Sequence, residues 1–121
     1  MPIVIKKEVE MKVSDLVEKL NLNVFSGEPG LNNEVKGGYV SDLLSDVMGH
    51  AKENEVWVTL QTHRNVLAIA SLKDLAAIIL VKGLEPDKDM LEHSNREGVP
   101  VLGTKLGTFE LTGRLYQEIL G

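Results

Sequence analysis

The stretch Val56-Trp-Val-Thr-Leu60-Gln-Thr-His63-Arg64-Asn65-Val-Leu-Ala-Ile-Ala70-Ser-Leu-Lys-Asp-Leu75-Ala-Ala-Ile-Ile-Leu80-Val81 decides the fold. Val56 to Leu60 is β-branched and aromatic, which marks a strand. Gln61 to Asn65 is a polar break directly after it. Residues 66–70 can be read as a buried strand or as the start of a helix from Asn65 to about Ala76. Alanine and leucine dominate the segment and Asn65 suits an N-cap, so the helix is the reading adopted. Ile78 to Val81 is then a second apolar strand, ended by Lys82-Gly83.

Outward from this core the same alternation continues. Pro86 fits a first helical position and Gly98 a residue just past a helix end, which predicts a helix over about 86–97. Met90 and Leu91 are its few apolar residues, so it reads as mostly solvated. Val99 to Leu102 is a short strand and Gly103 to Gly107 a loop. Thr108 starts a last helix, with Leu111, Leu115, Tyr116, Ile119 and Leu120 on its buried face. Strand–helix alternation of this kind predicts an α/β domain of three layers, α/β/α, with a mostly parallel sheet of about five strands. Trp57 and Ile79 fall on neighbouring inner strands.

Toward the N-terminus the signals are shorter. Ser14 is an N-cap candidate for a helix carrying Leu16, Val17 and Leu20, and Asn21 and Asn23 end it. Val24-Phe25 is a brief strand stopped by Ser-Gly-Glu-Pro-Gly. A second strand lies near Val35 and closes into Gly37-Gly38. Val40, Leu43, Leu44, Val47, Met48 and Ala51 follow a helical period, with Ser41 as cap. Residues 1–10 read as an arm, with a short strand over Pro2–Ile5 as the other reading, and 11–121 as one domain.

Composition removes several classes of function. The 121 residues contain no cysteine, so disulfides, thiolate metal sites and cysteine nucleophiles are excluded. A formal net charge of −5, with basic residues unclustered, argues against nucleic-acid binding. The longest apolar run, Leu75–Val81, is far too short to span a bilayer. The first residues lack the pattern of a secretory signal, and the expected location is the cytoplasm.

Several residues resemble a known family when taken together. The stretch Lys36-Gly37-Gly38-Tyr39-Val40-Ser41-Asp42-Leu43-Leu44-Ser45-Asp46-Val47-Met48 resembles the glycine pair and following helix of the DRTGG domain family. Trp57 to Asn65, the apolar segment ending Ile78-Ile79-Leu80-Val81, and Gly98-Val-Pro-Val101 are similar to it too, and the resemblance covers about residues 11–120. It implies a fold like the N-terminal domain of HPr kinase/phosphatase. It also implies a role like the accessory domains of phosphotransacetylases and CBS-domain pyrophosphatases. No catalytic residue carries over, and Lys36 stands where the family commonly has threonine.

The chemistry-bearing residues support binding more than catalysis. No G-x-x-x-x-G-K-[ST] phosphate loop is present, no nucleophile has an evident base, and His50, His63 and His93 lack metal-ligand spacing. His63, with Gln61, Thr62, Arg64 and Asn65, follows a central strand, where ligands gather in open α/β sheets. Its other reading is a helix cap with a solvated arginine. Gly37-Gly38, with Tyr39 and Ser41, reads as a sharp strand-to-helix turn or as a phosphate-binding nest. Thr104, Thr108 and Phe109 complete a pocket after another strand, or cap and pack a helix. If a small anion binds, the loops Gly37–Ser41, Gln61–Asn65 and Thr104–Thr108 are expected to converge on it.

The function expected is thus a non-catalytic regulatory or ligand-sensing domain that self-associates or docks to a metabolic enzyme. Its alternatives are a binder of a nucleotide or small phosphorylated metabolite, or a small enzyme of unknown reaction. No cofactor or metal is expected. A homodimer is, because so many apolar segments need cover in a small domain.

Overall fold

A computed structural model describes residues 10–121 of the chain. The reading of Pro2–Ile5 as a strand, and of the arm that holds it, lies outside the described residues.

The elements run α1 (Val13–Leu20), β1 (Asn23–Ser26), a 3-10 turn (Glu28–Asn32), β2 (Gly37–Val40), α2 (Leu44–His50), β3 (Glu55–Thr59), α3 (Asn65–Leu72), β4 (Ala77–Leu80), α4 (Lys88–Glu97), β5 (Val101–Gly103) and α5 (Thr108–Leu120). One five-stranded sheet has the order β1-β5-β4-β3-β2. Strands β2 to β5 are parallel, and β1 joins β5 antiparallel. Both central strands are buried on both faces, so their sequences are continuous apolar runs without alternation. Trp57 pairs with Ile78 and Val58 with Ile79 across them, which puts Trp57 and Ile79 on neighbouring inner strands as expected.

Each parallel pair is joined by a helix, and the three crossover helices cover one face of the sheet. Val47 of α2, Val66, Leu67 and Ala70 of α3, and Met90 of α4 share a core with Trp57, Ile78 and Val101. Connections of one hand place helices this way. The other face is closed by α1 and α5 through Val13, Leu16, Leu111 and Leu115, packed on Val56, Val58, Ile79 and Leu102. The result is the expected three-layer α/β/α domain.

Local readings change in five places. First, Lys12 rather than Ser14 is the N-cap of α1, and its N–H donates to Asp15 Oδ2 at 2.9 Å. Second, Gly37-Gly38 is not a turn. Both lie in β2 beside Glu55 and Val56, and neither has a positive φ, so they form no nest. Third, α2 therefore begins at Leu44 instead of Val40, and Val40, Leu43 and Met48 are exposed. Fourth, residues 66–70 are helical, but α3 stops at Leu72 because Asp74 turns into the left-handed region. Fifth, α4 is capped by Asp87 instead of opening at Pro86, while Gly98 ends it at φ 68° as expected.

Burial is uneven in both outer helices. Met90 and Ser94 are fully buried, so α4, mostly solvated as expected, sends these two side chains into the core. The Ser94 hydroxyl donates to Val99 O at 2.6 Å and accepts from Ser26 Oγ at 2.7 Å, which satisfies it inside the core. In α5, Leu111 and Leu115 are buried, but Tyr116 and Leu120 face outward at 66% and 61% exposure.

Candidate functional site

The carboxyl ends of β2, β3, β4 and β5 form one rim, and the predicted residues divide along it. At the β2–β3 end the organiser is Asp42. Its Oδ1 accepts from Thr59 Oγ1 at 2.9 Å and from the Leu60 N–H at 2.7 Å, while its carbonyl accepts from Gln61 Nε2 at 3.1 Å. The Ser41 carbonyl accepts from Trp57 Nε1 at 2.8 Å, and Ser41 Oγ accepts from the Leu43 N–H. Ser41 and Gln61 are thus brought together through Asp42.

Beside them, Tyr39 donates its hydroxyl to Asp46 Oδ2 at 2.9 Å. Loss of hydration raises the Tyr39 pKa above the ordinary phenol value, and the hydrogen bond to Asp46 and the charges of Asp46 and Glu55 add to it. The hydroxyls of Ser41 and Tyr39, with His50, hold Asp46 below the usual carboxylate value. Gly37 and Gly38 lie upstream on the same strand, away from the rim.

At the β3–β4 end, His63 Nδ1 lies 3.0 Å from Asp87 Oδ2, and Asp87 Oδ1 accepts from the Met90 N–H at 2.8 Å. The Asp87 N–H donates to the Thr62 carbonyl. These bonds to His63 and Met90, with the Arg64 charge nearby, lower the Asp87 pKa. Thr62 and His63 therefore tie the loop after β3 to the N-terminus of α4. Arg64 and Asn65 line a cleft of about 440 Å3 with Leu67, Ala68, His93 and Glu97.

Thr104 and Thr108 lie elsewhere. The Thr104 carbonyl accepts from Gly83 N–H and Leu106 O accepts from Lys82 N–H, so this loop is joined to the end of β4. Thr104, Lys105, Leu106 and Arg114 line a cleft of about 410 Å3 with Leu20, Asn21 and Asn23. Thr108 is the first residue of α5. The three loops do not gather around one cavity. Two meet at Asp42, and the third is separated from them by β4.

No group of three or more His, Asp or Glu among the described residues is placed to hold a metal ion. No helix among them is long and apolar enough to cross a membrane.

A sequence model described as the DRTGG domain matches residues 8–117. Two curated relatives are HPr kinase/phosphorylases. That of Bacillus pumilus is 27% identical, covering 88% of this chain and 39% of the relative. That of Enterococcus faecalis is 28% identical, covering 92% and 41%. The chain thus spans about two-fifths of the length of the curated relatives it matches. Among solved structures, the CBS and DRTGG domains of the regulatory region of Clostridium perfringens pyrophosphatase, complexed with the activator diadenosine tetraphosphate, share the fold. The TM-score is 0.64 at 15% identity, covering 83% of this chain and 43% of that one.

Proposed function

The chain belongs to the DRTGG domain family, and from that premise we propose that it is a regulatory module that acts by association and has no catalytic activity of its own. It associates with a second copy of itself, at the β2 edge of the sheet.

The observation that carries this reading is the surface around β2. Among the described residues, strand β2 ends the sheet. Beside it an apolar groove of about 170 Å3 runs between β2 and α5, lined by Val40, Thr112, Leu115, Tyr116 and Leu120 among others. Val40 is 44% exposed, and Leu43 just beyond it is exposed too. Thr112 Oγ1 is buried there, without a hydrogen-bond partner among the described residues. An open strand edge flanked by apolar side chains is a template for pairing with another chain. A second copy meets it across a two-fold axis, β2 antiparallel to β2, so that one patch serves both subunits. The absence of a phosphate-binding loop from the sequence supports a non-catalytic role.

Ser41 N–H donates to Val58 O, toward β3. Strand alternation then turns the Gly38 and Val40 amides toward the open edge. Amide hydrogen exchange followed against protein concentration tests the reading. Protection of Gly38 and Val40 that grows with concentration supports it. Fast exchange at both positions at every concentration counts against it.

A second reading, a nucleotide-sensing module, is favoured by the diadenosine tetraphosphate complex of the Clostridium perfringens regulatory region. A thermal-shift series with that nucleotide checks it, since a ligand that binds the folded state raises its stability.

A further inference from the structure

The loops leaving β4 and β5 part company. The chain leaves β4 for α4 on one face of the sheet and leaves β5 for α5 on the other. In open α/β sheets a crevice forms where the loops of adjacent parallel strands diverge in this way. Here the two loops are laced together by Lys82 N–H to Leu106 O at 2.8 Å and Gly83 N–H to Thr104 O at 2.9 Å. The open space is left on the α5 side, as the cleft that holds Asn21, Asn23, Thr104, Lys105 and Arg114. Asn23 pairs with Gly103, so the two asparagines stand at the same carboxyl rim.

The chemistry of this lining is one-sided. The chain carries 18 acidic against 13 basic residues, yet the lining contains a lysine and an arginine and no carboxylate. The clefts lined by Arg64 and by Asn33 both include Glu97. One Arg114 nitrogen donates to Glu110 at 2.8 Å, and among the described residues the other guanidinium N–H groups have no partner. Asn21 and Asn23 supply neutral amide donors and Lys105 supplies a mobile point charge, while the carboxylate of Glu110, in the first turn of α5, is engaged by Arg114.

We propose that this cleft binds the phosphate group of a small phosphorylated metabolite. Arg114 and Lys105 neutralise the charge, and the asparagine amides fix its orientation. The site lies at the β1–β5 end of the sheet, away from the β2 edge, so its failure would leave the association reading untouched.

The test uses the full chain, isotope-labelled, titrated with inorganic phosphate at about pH 8, where the anion is mostly divalent. The control is chloride at matched ionic strength. The proposal predicts saturable amide shifts at Asn21, Asn23, Thr104 and Lys105 with phosphate alone. The Lys105→Ala/Arg114→Gln double variant should bind at least about 10-fold more weakly, the scale of one lost charge-assisted hydrogen bond. Should the double variant fail to fold, Lys105→Ala alone, at an exposed position, serves instead. Equal shifts in chloride, shifts that never saturate, or unchanged affinity in a folded variant would overturn it.

Discussion

Ser26 and Ser94, 68 residues apart, share a buried hydrogen bond of 2.7 Å that fastens β1 to α4. Ser94 Oγ in turn donates to Val99 O. The first prediction concerns this chain of groups. Ser94→Ala leaves both the Ser26 hydroxyl and the Val99 carbonyl without this partner inside the core. The expected loss is about 1–3 kcal/mol, the cost of a buried polar group deprived of its bond. Urea denaturation measures it. A loss below about 0.5 kcal/mol, within the range of an ordinary surface substitution, would show that the two groups find other partners.

The 3-10 turn is the second place where one atom decides stability. A Cβ at Gly30 would collide with the Gly98 carbonyl and the Pro100 ring. The first of these is backbone and cannot rotate away. Gly30→Ala should therefore cost about 1–3 kcal/mol, as overpacking in a filled core does. Thermal unfolding of the variant beside wild type checks it, and an unchanged midpoint would contradict the packing described.

A third prediction follows from Asp42, whose carboxylate accepts from Thr59 Oγ1 and from the Leu60 N–H. Thr59 is buried, so Asp42→Ala leaves its hydroxyl proton without this acceptor, while Thr59 Oγ1 still accepts from the Gln61 N–H. A destabilisation of about 1–2 kcal/mol is expected. Faster amide exchange should appear at Leu60 and Gln61, while the exchange of β4 stays as in wild type. Uniform faster exchange across the sheet would mean that Asp42 does not act locally.

The dependence on pH has a definite sign. His63 and the Met90 N–H lower the Asp87 pKa in the folded state. A depressed carboxylate pKa contributes stability above its unfolded value, about 3.9, and that contribution is lost as pH falls through the lower folded value. Wild type should exceed Asp87→Asn in stability near neutral pH, and the gap should close in the acid range. Denaturation curves at a series of pH values read it directly. A gap that widens on acidification would contradict the arrangement.

Much of the fold was legible because the decisive segments are long and buried on both sides. Trp57, Ile78, Ile79 and Leu80 can only be central strands once the polar break at Gln61–Asn65 divides them. Gly98 was legible because a helix end in the left-handed region favours glycine. The edge strand was not, since Gly37-Gly38-Tyr39-Val40 has two glycines and no strand period, and only pairing with β3 makes it a strand. The burial of Ser94 in α4 was hidden because this polar residue is satisfied by partners far away and at its own helix end. The candidate site was half legible. Ser41, Gln61, Thr62 and His63 do lie at strand ends, but Asp42 and Asp87, which join them, reach partners 17 to 24 residues away. Such reach leaves no local mark. The cleft at Lys105 and Arg114 needs β1 to run antiparallel beside β5, which spacing alone does not show.

The central claim, association through the β2 edge, is tested most directly by light scattering over a dilution series of wild type and of Val40→Asp. A charge at position 40 sits on the exposed edge and would repel its symmetry mate. The account predicts a wild-type mass approaching twice 13.3 kDa at high micromolar concentration, and a Val40→Asp mass that stays at 13.3 kDa. A wild-type mass of 13.3 kDa throughout, or a dimer that Val40→Asp leaves intact, would contradict it.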